Sequence, residues 1–132
     1  VKNPVGASSF VLLVLIAMSA SGAAAVDRVH AGQWETTIES GGRSHVMTTC
    51  VTPAEAQAMN GDEAALRDGI EKATAATGCK LMGVKASGNQ VTVSSQCSVG
   101  SNTGTTTYRG ESYDSENSNG TKVHAKRVGA CH

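Results

Sequence analysis

The stretch WETTIESGGRSHVMTT, residues 34–49, decides how the rest of the chain is read. Two runs rich in β-branched residues flank Gly41-Gly42, and both glycines can take the positive φ that a two-residue hairpin turn demands. Centring the turn there sets Trp34 opposite Thr49, Thr36 opposite Met47 and Ile38 opposite His45. Side chains alternate between the two faces of a strand, so Trp34, Ile38 and Met47 share one face while Glu35 and Glu39 turn to water. The reading is an antiparallel β protein. Trp34, the only tryptophan, serves most simply as a core anchor for the first strand. Gly32 just before it lets the backbone pass close to a neighbour.

N-terminal to the hairpin the composition changes. Lys2 precedes the apolar run FVLLVLIAM, Phe10 to Met18, and the small residues SASGAAA follow it. This is the three-part pattern of a secretory signal, and the run is far shorter than the roughly 20 apolar residues of a membrane-spanning helix. The expectation is a signal peptide over residues 1–25, cleaved after Ala25. That leaves one domain over residues 26–132, periplasmic or secreted, with no stable membrane insertion after cleavage. The full chain holds 11 basic and 11 acidic residues, and Lys2 is the one charge before residue 26, so the remaining domain has a net charge of −1. Nothing in that balance attracts nucleic acid. Trp34, Tyr108 and Tyr113 are its only aromatics, which predicts a thin core.

C-terminal to the hairpin, CVTPAEAQAMNG opens a helix. Thr52 is placed as N-cap, Pro53 at the first helical position and Glu55 at the third, which completes a capping box. Asn60-Gly61 ends that piece, and Asp62 caps a second one, in which Leu66, Ile70 and Ala73 form a narrow apolar stripe. Glu63–Arg67 and Asp68–Lys72 are spaced as ion pairs on the solvated side. From Cys79 the period returns to two. CKLMGVKA and QVTVSSQC read as a hairpin about Gly88, SVGSNTG as a loop, TTTYRGESY as one strand, and TKVHAKRVGAC as the last, entered through Asn119-Gly120.

All four cysteines (Cys50, Cys79, Cys97, Cys131) lie after residue 25. An even count in a small exported domain implies two disulfides, each contributing about 2–4 kcal/mol. Three connectivities are open. A hairpin centred on Gly88 sets Cys79 opposite Cys97, which favours Cys79–Cys97 and leaves Cys50–Cys131. No C-x-x-C pair is present, so neither a zinc site nor disulfide exchange is expected.

His30, His45, His124 and His132 are the candidates for acid–base or metal chemistry. His30 and His132 fall near the domain termini, where order is poor. His45 and His124 fall on strands without acidic partners at a telling spacing. The nucleophile-elbow, zincin, phosphate-loop and dinucleotide motifs are absent. Glu111, Asp114 and Glu116 read as a solvated acidic turn rather than a calcium loop. No catalytic residue, metal or cofactor is expected.

The pieces GQWETT, TTCVTPAEA, GCK, GNQVTVSSQC, YRGESY and AKRVGAC occur in that order, and together they resemble the exported bacterial proteins grouped as domain of unknown function 3617. The resemblance spans nearly all of residues 31–131. Many members have Pro before the last Cys, where this chain has Ala130. The resemblance implies an exported address and confers no catalytic residues. The G-x-W start is also similar to that of lipocalin-like barrels, which would make Trp34 the plug of one barrel end. The expected fold is mainly β (α+β): a curved antiparallel sheet or partial barrel of about six strands in sequence-neighbour order, with one helical insert after the second and two disulfides. The expected function is non-enzymatic: binding a small apolar ligand around Trp34, Ile38 and Met47, or another envelope protein along the sheet. The alternatives are a periplasmic hydrolase or isomerase using His45 or His124, and a structural or stress-related envelope protein without a ligand.

Overall fold

The computed structural model describes residues 26–132. The expected signal peptide, residues 1–25, lies outside the described residues. The order of elements is β1 (Gly32–Ser40), β2 (Arg43–Val51), α1 (Pro53–Met59), α2 (Glu63–Ala76), β3 (Lys80–Ser87), β4 (Gln90–Cys97), β5 (Gly100–Tyr108), β6 (Ser112–Asn117) and β7 (Lys122–Gly129). All seven strands form one antiparallel sheet in the order β2-β1-β7-β6-β5-β4-β3. The mainly β class with a helical insert is as read from the sequence. Three details differ.

The sheet has seven strands, not six. TTTYRGESY is two strands, because the chain turns at Arg109-Gly110, where Gly110 has φ 82°. SVGSNTG is no loop: Ser98-Val99 make a tight turn, and Gly100 pairs with Cys97. Gly104 sits inside β5, paired with Asn117 of β6, whose movable side-chain oxygen occupies the space a Cβ would take. The strand order is not that of sequence neighbours either. The two helices carry the chain from β2 to the far edge of the sheet, and the meander β3 to β7 returns until β7 pairs with β1. Since β2 and β3 are the two free edges, the sheet stays open, and Trp34 does not plug a barrel.

The first hairpin has the expected register, Trp34 with Thr49, Thr36 with Met47 and Ile38 with His45. Its turn takes positive φ at both Gly41 and Gly42. The capping box of α1 forms, with the Thr52 hydroxyl accepting from Glu55 N–H and the Glu55 carboxylate accepting from Thr52 N–H. Lys72 pairs with Asp68 at 3.0 Å. Glu63 does not pair with Arg67; its carboxylate instead accepts the Ala86 N–H of β3 at 3.1 Å.

The core sits between the helices and one face of the sheet. One cluster joins Val29, Trp34, Ala56 and Ala125, and a second joins Leu66, Val84 and Val91. Ala125, fully buried on β7, is small enough for Trp34 and Tyr113 to meet across it, with ring centroids 5.6 Å apart. Tyr113 in turn reaches Tyr108 at 5.5 Å. All three aromatics of the domain thus make one row across four strands, a row that sequence spacing does not reveal.

Cys50 is bonded to Cys131 and Cys79 to Cys97. The second bond depends on an irregularity. The β3–β4 turn is two residues long, with Ser87 opposite Gln90, one step away from the register expected about Gly88. Carried unbroken, that register would set Cys79 opposite Ser98. Between Leu81 and Gly83 the register shifts by one, so that Leu81 faces Ser95. Met82 is the extra residue, a β-bulge, and it returns Cys79 to the face of Cys97. Deleting Met82 is therefore expected to remove the bulge and keep the bond, because Leu81 then adjoins Gly83 directly, opposite Ser95, and Cys79 stays opposite Cys97. Intact mass with thiol alkylation checks this. No alkylated cysteine is expected, and a deletion variant with two alkylated cysteines would show that Met82 is not the extra residue of the register.

Candidate functional site

The three residues expected to form a binding face do not form one. Trp34 is 1% exposed, and its indole N–H donates to the His30 carbonyl at 3.0 Å. Both its ring and its polar atom are used inside the domain. Ile38 is half-buried, and Met47 is exposed on edge strand β2. None of them lines the main apolar cleft.

That cleft lies instead between the helices and the end of β2. Its volume is about 450 Å³, within the size range of small-ligand sites. Thr49 and Val51 form its β2 side, Met59 closes it from α1, and Leu66 and Ile70 reach in from α2. The space exists because the helices present small side chains to it: Ala58, Ala65, Gly69 and Ala73 also line the walls. A Cβ built on Gly69 would meet nothing within 4 Å. Glu55 is the one ionisable group on the lining. The Thr52 backbone N–H, and then its hydroxyl, hold the Glu55 carboxyl below its ordinary value, so it stays an anion at neutral pH. The sequence did carry part of this site, since Leu66, Ile70 and Ala73 are the stripe noted on α2. What spacing could not show is that alanine and glycine beside the stripe leave it incompletely covered.

The histidines are dispersed. His45 and His124 occupy neighbouring sheet positions of opposite parity: Ile38 faces His45, whereas Thr37 faces His124. Their side chains therefore leave opposite faces of the sheet. His124 donates through Nδ1 to Asp114 at 2.6 Å, and Arg109 takes the other oxygen of the same carboxylate. The His124 hydrogen bond, followed by that from Arg109, holds the Asp114 carboxyl below its ordinary value. So His124 does have an acidic partner, one brought by strand pairing rather than by spacing along the chain. The cluster faces solvent among hydroxyl pairs such as Thr92–Thr105, 3.2 Å apart. Among the described residues no three His, Cys, Asp or Glu side chains converge as a metal site would need. No helix there is long and apolar enough to cross a membrane. His132 is exposed.

The segment before β1, expected to be poorly ordered, is built into the domain. Arg28 is 2% exposed. Its guanidinium donates to the carbonyls of Met59 at 2.9 Å, Gly61 at 2.7 Å and Gly88 at 3.0 Å. Asn60 receives the N–H groups of Arg28 and Val29 on its side-chain oxygen and donates to the Val29 carbonyl. Val29 bridges to Gly110 in parallel. Next to it His30 lies between two carboxylates, Asp27 at 2.9 Å and Glu111 at 3.1 Å.

Residues 29–131 match the sequence model of a family described as "Protein of unknown function (DUF3617)". No curated protein and no solved structure matches the chain.

The hydrogen bonds to Asp27 and then Glu111 raise the His30 pKa above its ordinary 6.5. A raised histidine contributes stability that is fully present below the unfolded-state value and is lost as pH rises through the folded one. An NMR titration is expected to place the His30 midpoint above 6.5 and to bring it back toward that value in Asp27→Asn/Glu111→Gln. A wild-type midpoint at or below 6.5 would show that the ring is not held between the carboxylates in solution.

Proposed function

For this chain, which belongs to the DUF3617 family, we propose that the domain is exported and binds a small apolar molecule in the cleft between its helices and β2. The observation that carries the reading is the cleft itself, with an aliphatic and thioether lining, small residues where a packed core would hold large ones, and a single carboxylate on its wall. Such a site favours uncharged or cationic apolar ligands over anions, because a bound anion would face Glu55 at close range. Export is supported by the apolar run at Phe10–Met18 and by two disulfides in a domain with few large buried side chains. The address is then the periplasm or the exterior. Neither His45 nor His124 lines the cleft, so a hydrolase or isomerase that uses either one draws no support from it.

The test is a fluorescence titration of the oxidised domain with N-phenyl-1-naphthylamine, an uncharged apolar probe that brightens when it leaves water. Saturable binding at one site is expected. Gly69→Phe fills the cleft and is expected to weaken binding by roughly tenfold or more, about 1.4 kcal/mol. Gly69→Ala should bind as the wild type does, with its helix stabilised by about 1 kcal/mol. If the wild type leaves the probe dark, or if folded Gly69→Phe binds equally well, the cleft is not the site.

A further inference from the structure

The two edges of the sheet are treated differently. β3 is blunted in the ways edge strands usually are: a bulge at Met82, lysines at 80 and 85, and an N–H at Ala86 already taken by Glu63. β2 has none of these. It runs nine residues, from Arg43 to Val51, in unbroken register with β1, without proline or lysine. It also carries two of the domain's large exposed apolar side chains, Val46 at 55% and Met47 at 41%. In a two-residue hairpin the residues flanking the turn, here Ser40 and Arg43, exchange both ladder bonds. The alternation then directs the backbone groups of Ser44, Val46, Thr48 and Cys50 away from β1, to the open edge.

We propose that β2 pairs antiparallel with β2 of a second copy, about a two-fold axis through Met47, to make one continuous sheet across a dimer. In that register Ser44 meets Cys50 and Val46 meets Thr48, so all four outward-facing residues of each strand find outward-facing partners. Val46 is covered on one face and Met47 meets its own copy on the other. The charges agree with this choice. Arg43 takes part in no ion pair among the described residues. The pairing brings it opposite Val51 of the second copy, beside the turn into α1 where Glu55 stands. An isologous contact of this kind closes as a dimer and does not propagate, since β3 is the blunted edge. One strand per copy is a small interface, of the class that forms weak, concentration-dependent contacts. The pairing also sets His45 of the second copy beside Thr49, on the cleft side of the sheet, which would extend the cleft wall. That consequence alone rests on the ligand reading; the dimer does not.

Sedimentation velocity of the oxidised domain, without probe, from micromolar to millimolar concentration tests the pairing. A concentration-dependent dimer is expected. Val46→Lys puts a charge on the edge, and Thr48→Pro removes an outward N–H without touching the β1 ladder. Each is expected to raise the dissociation constant by roughly tenfold or more at unchanged melting temperature. Glu55→Gln keeps the capping box but not the charge, and should weaken the dimer less. A wild type that stays monomeric throughout, or a dimer indifferent to both edge substitutions, overturns the proposal. So does a monomer that binds another protein through this edge. Probe binding by a monomeric Val46→Lys would separate loss of the dimer from loss of the cleft.

Discussion

A guanidinium with no carboxylate beside it holds the domain together. Arg28 is buried, and what satisfies it is a set of backbone carbonyls from the end of α1 and from the β3–β4 turn. A buried charge is costly unless its donors are matched. Here the carbonyls at a helix C-terminus supply both the acceptors and the negative end of the helix dipole. The three bonds join segments far apart in sequence: the strand entry, the helical insert and the second hairpin. Charged hydrogen bonds of this kind contribute about 1.5–3 kcal/mol each. Truncating the side chain would leave three carbonyls without their donor.

That clasp also fixes the cleft. α1 is only seven residues long, with one buried side chain, Ala56, and an isolated helix of that length is unstable in water. Its position over the sheet comes from its ends. The Thr52–Glu55 box anchors the start, and Arg28 with Asn60 anchors the finish. Ala58 and Met59, which wall the cleft, ride on the turn between those anchors. The Cys50–Cys131 bond ties the neighbouring end of β2 to the C-terminus across 81 residues, and a closed loop of that length contributes about 4–5 kcal/mol by restricting the unfolded chain.

Local signals in the sequence were legible because local chemistry decides them. Gly41-Gly42 specifies its hairpin and register whatever surrounds it, and Thr52-Pro53 with Glu55 specifies a helix start. The misreadings arise where long-range structure overrules local pattern. Ser98-Val99 is an undistinguished dipeptide, tightened into a turn by pairing on both sides. Gly104 resembles a loop residue but pairs with Asn117 on the next strand. The strand order depends on the helices crossing the sheet, which no period in the sequence encodes. The site was half legible: the α2 stripe was visible, whereas an unfilled space beside it depends on three elements together. Arg28 gave no signal, since a lone arginine near a domain terminus has the same local pattern whether it is solvated or clasped.

The clasp is tested most directly by hydrogen–deuterium exchange, followed by NMR, in Arg28→Met at neutral pH. Coordinated loss of protection is expected at three separated places: His30 and Gly110, where the first segment docks; Asn60 and Gly61, at the end of α1; and the β3–β4 turn near Gly88. The amides of β1 and β7 should stay protected. Loss confined to residues 26–31, with α1 and the Gly88 turn exchanging as in the wild type, would contradict it. The helices would then hold their place over the sheet without Arg28.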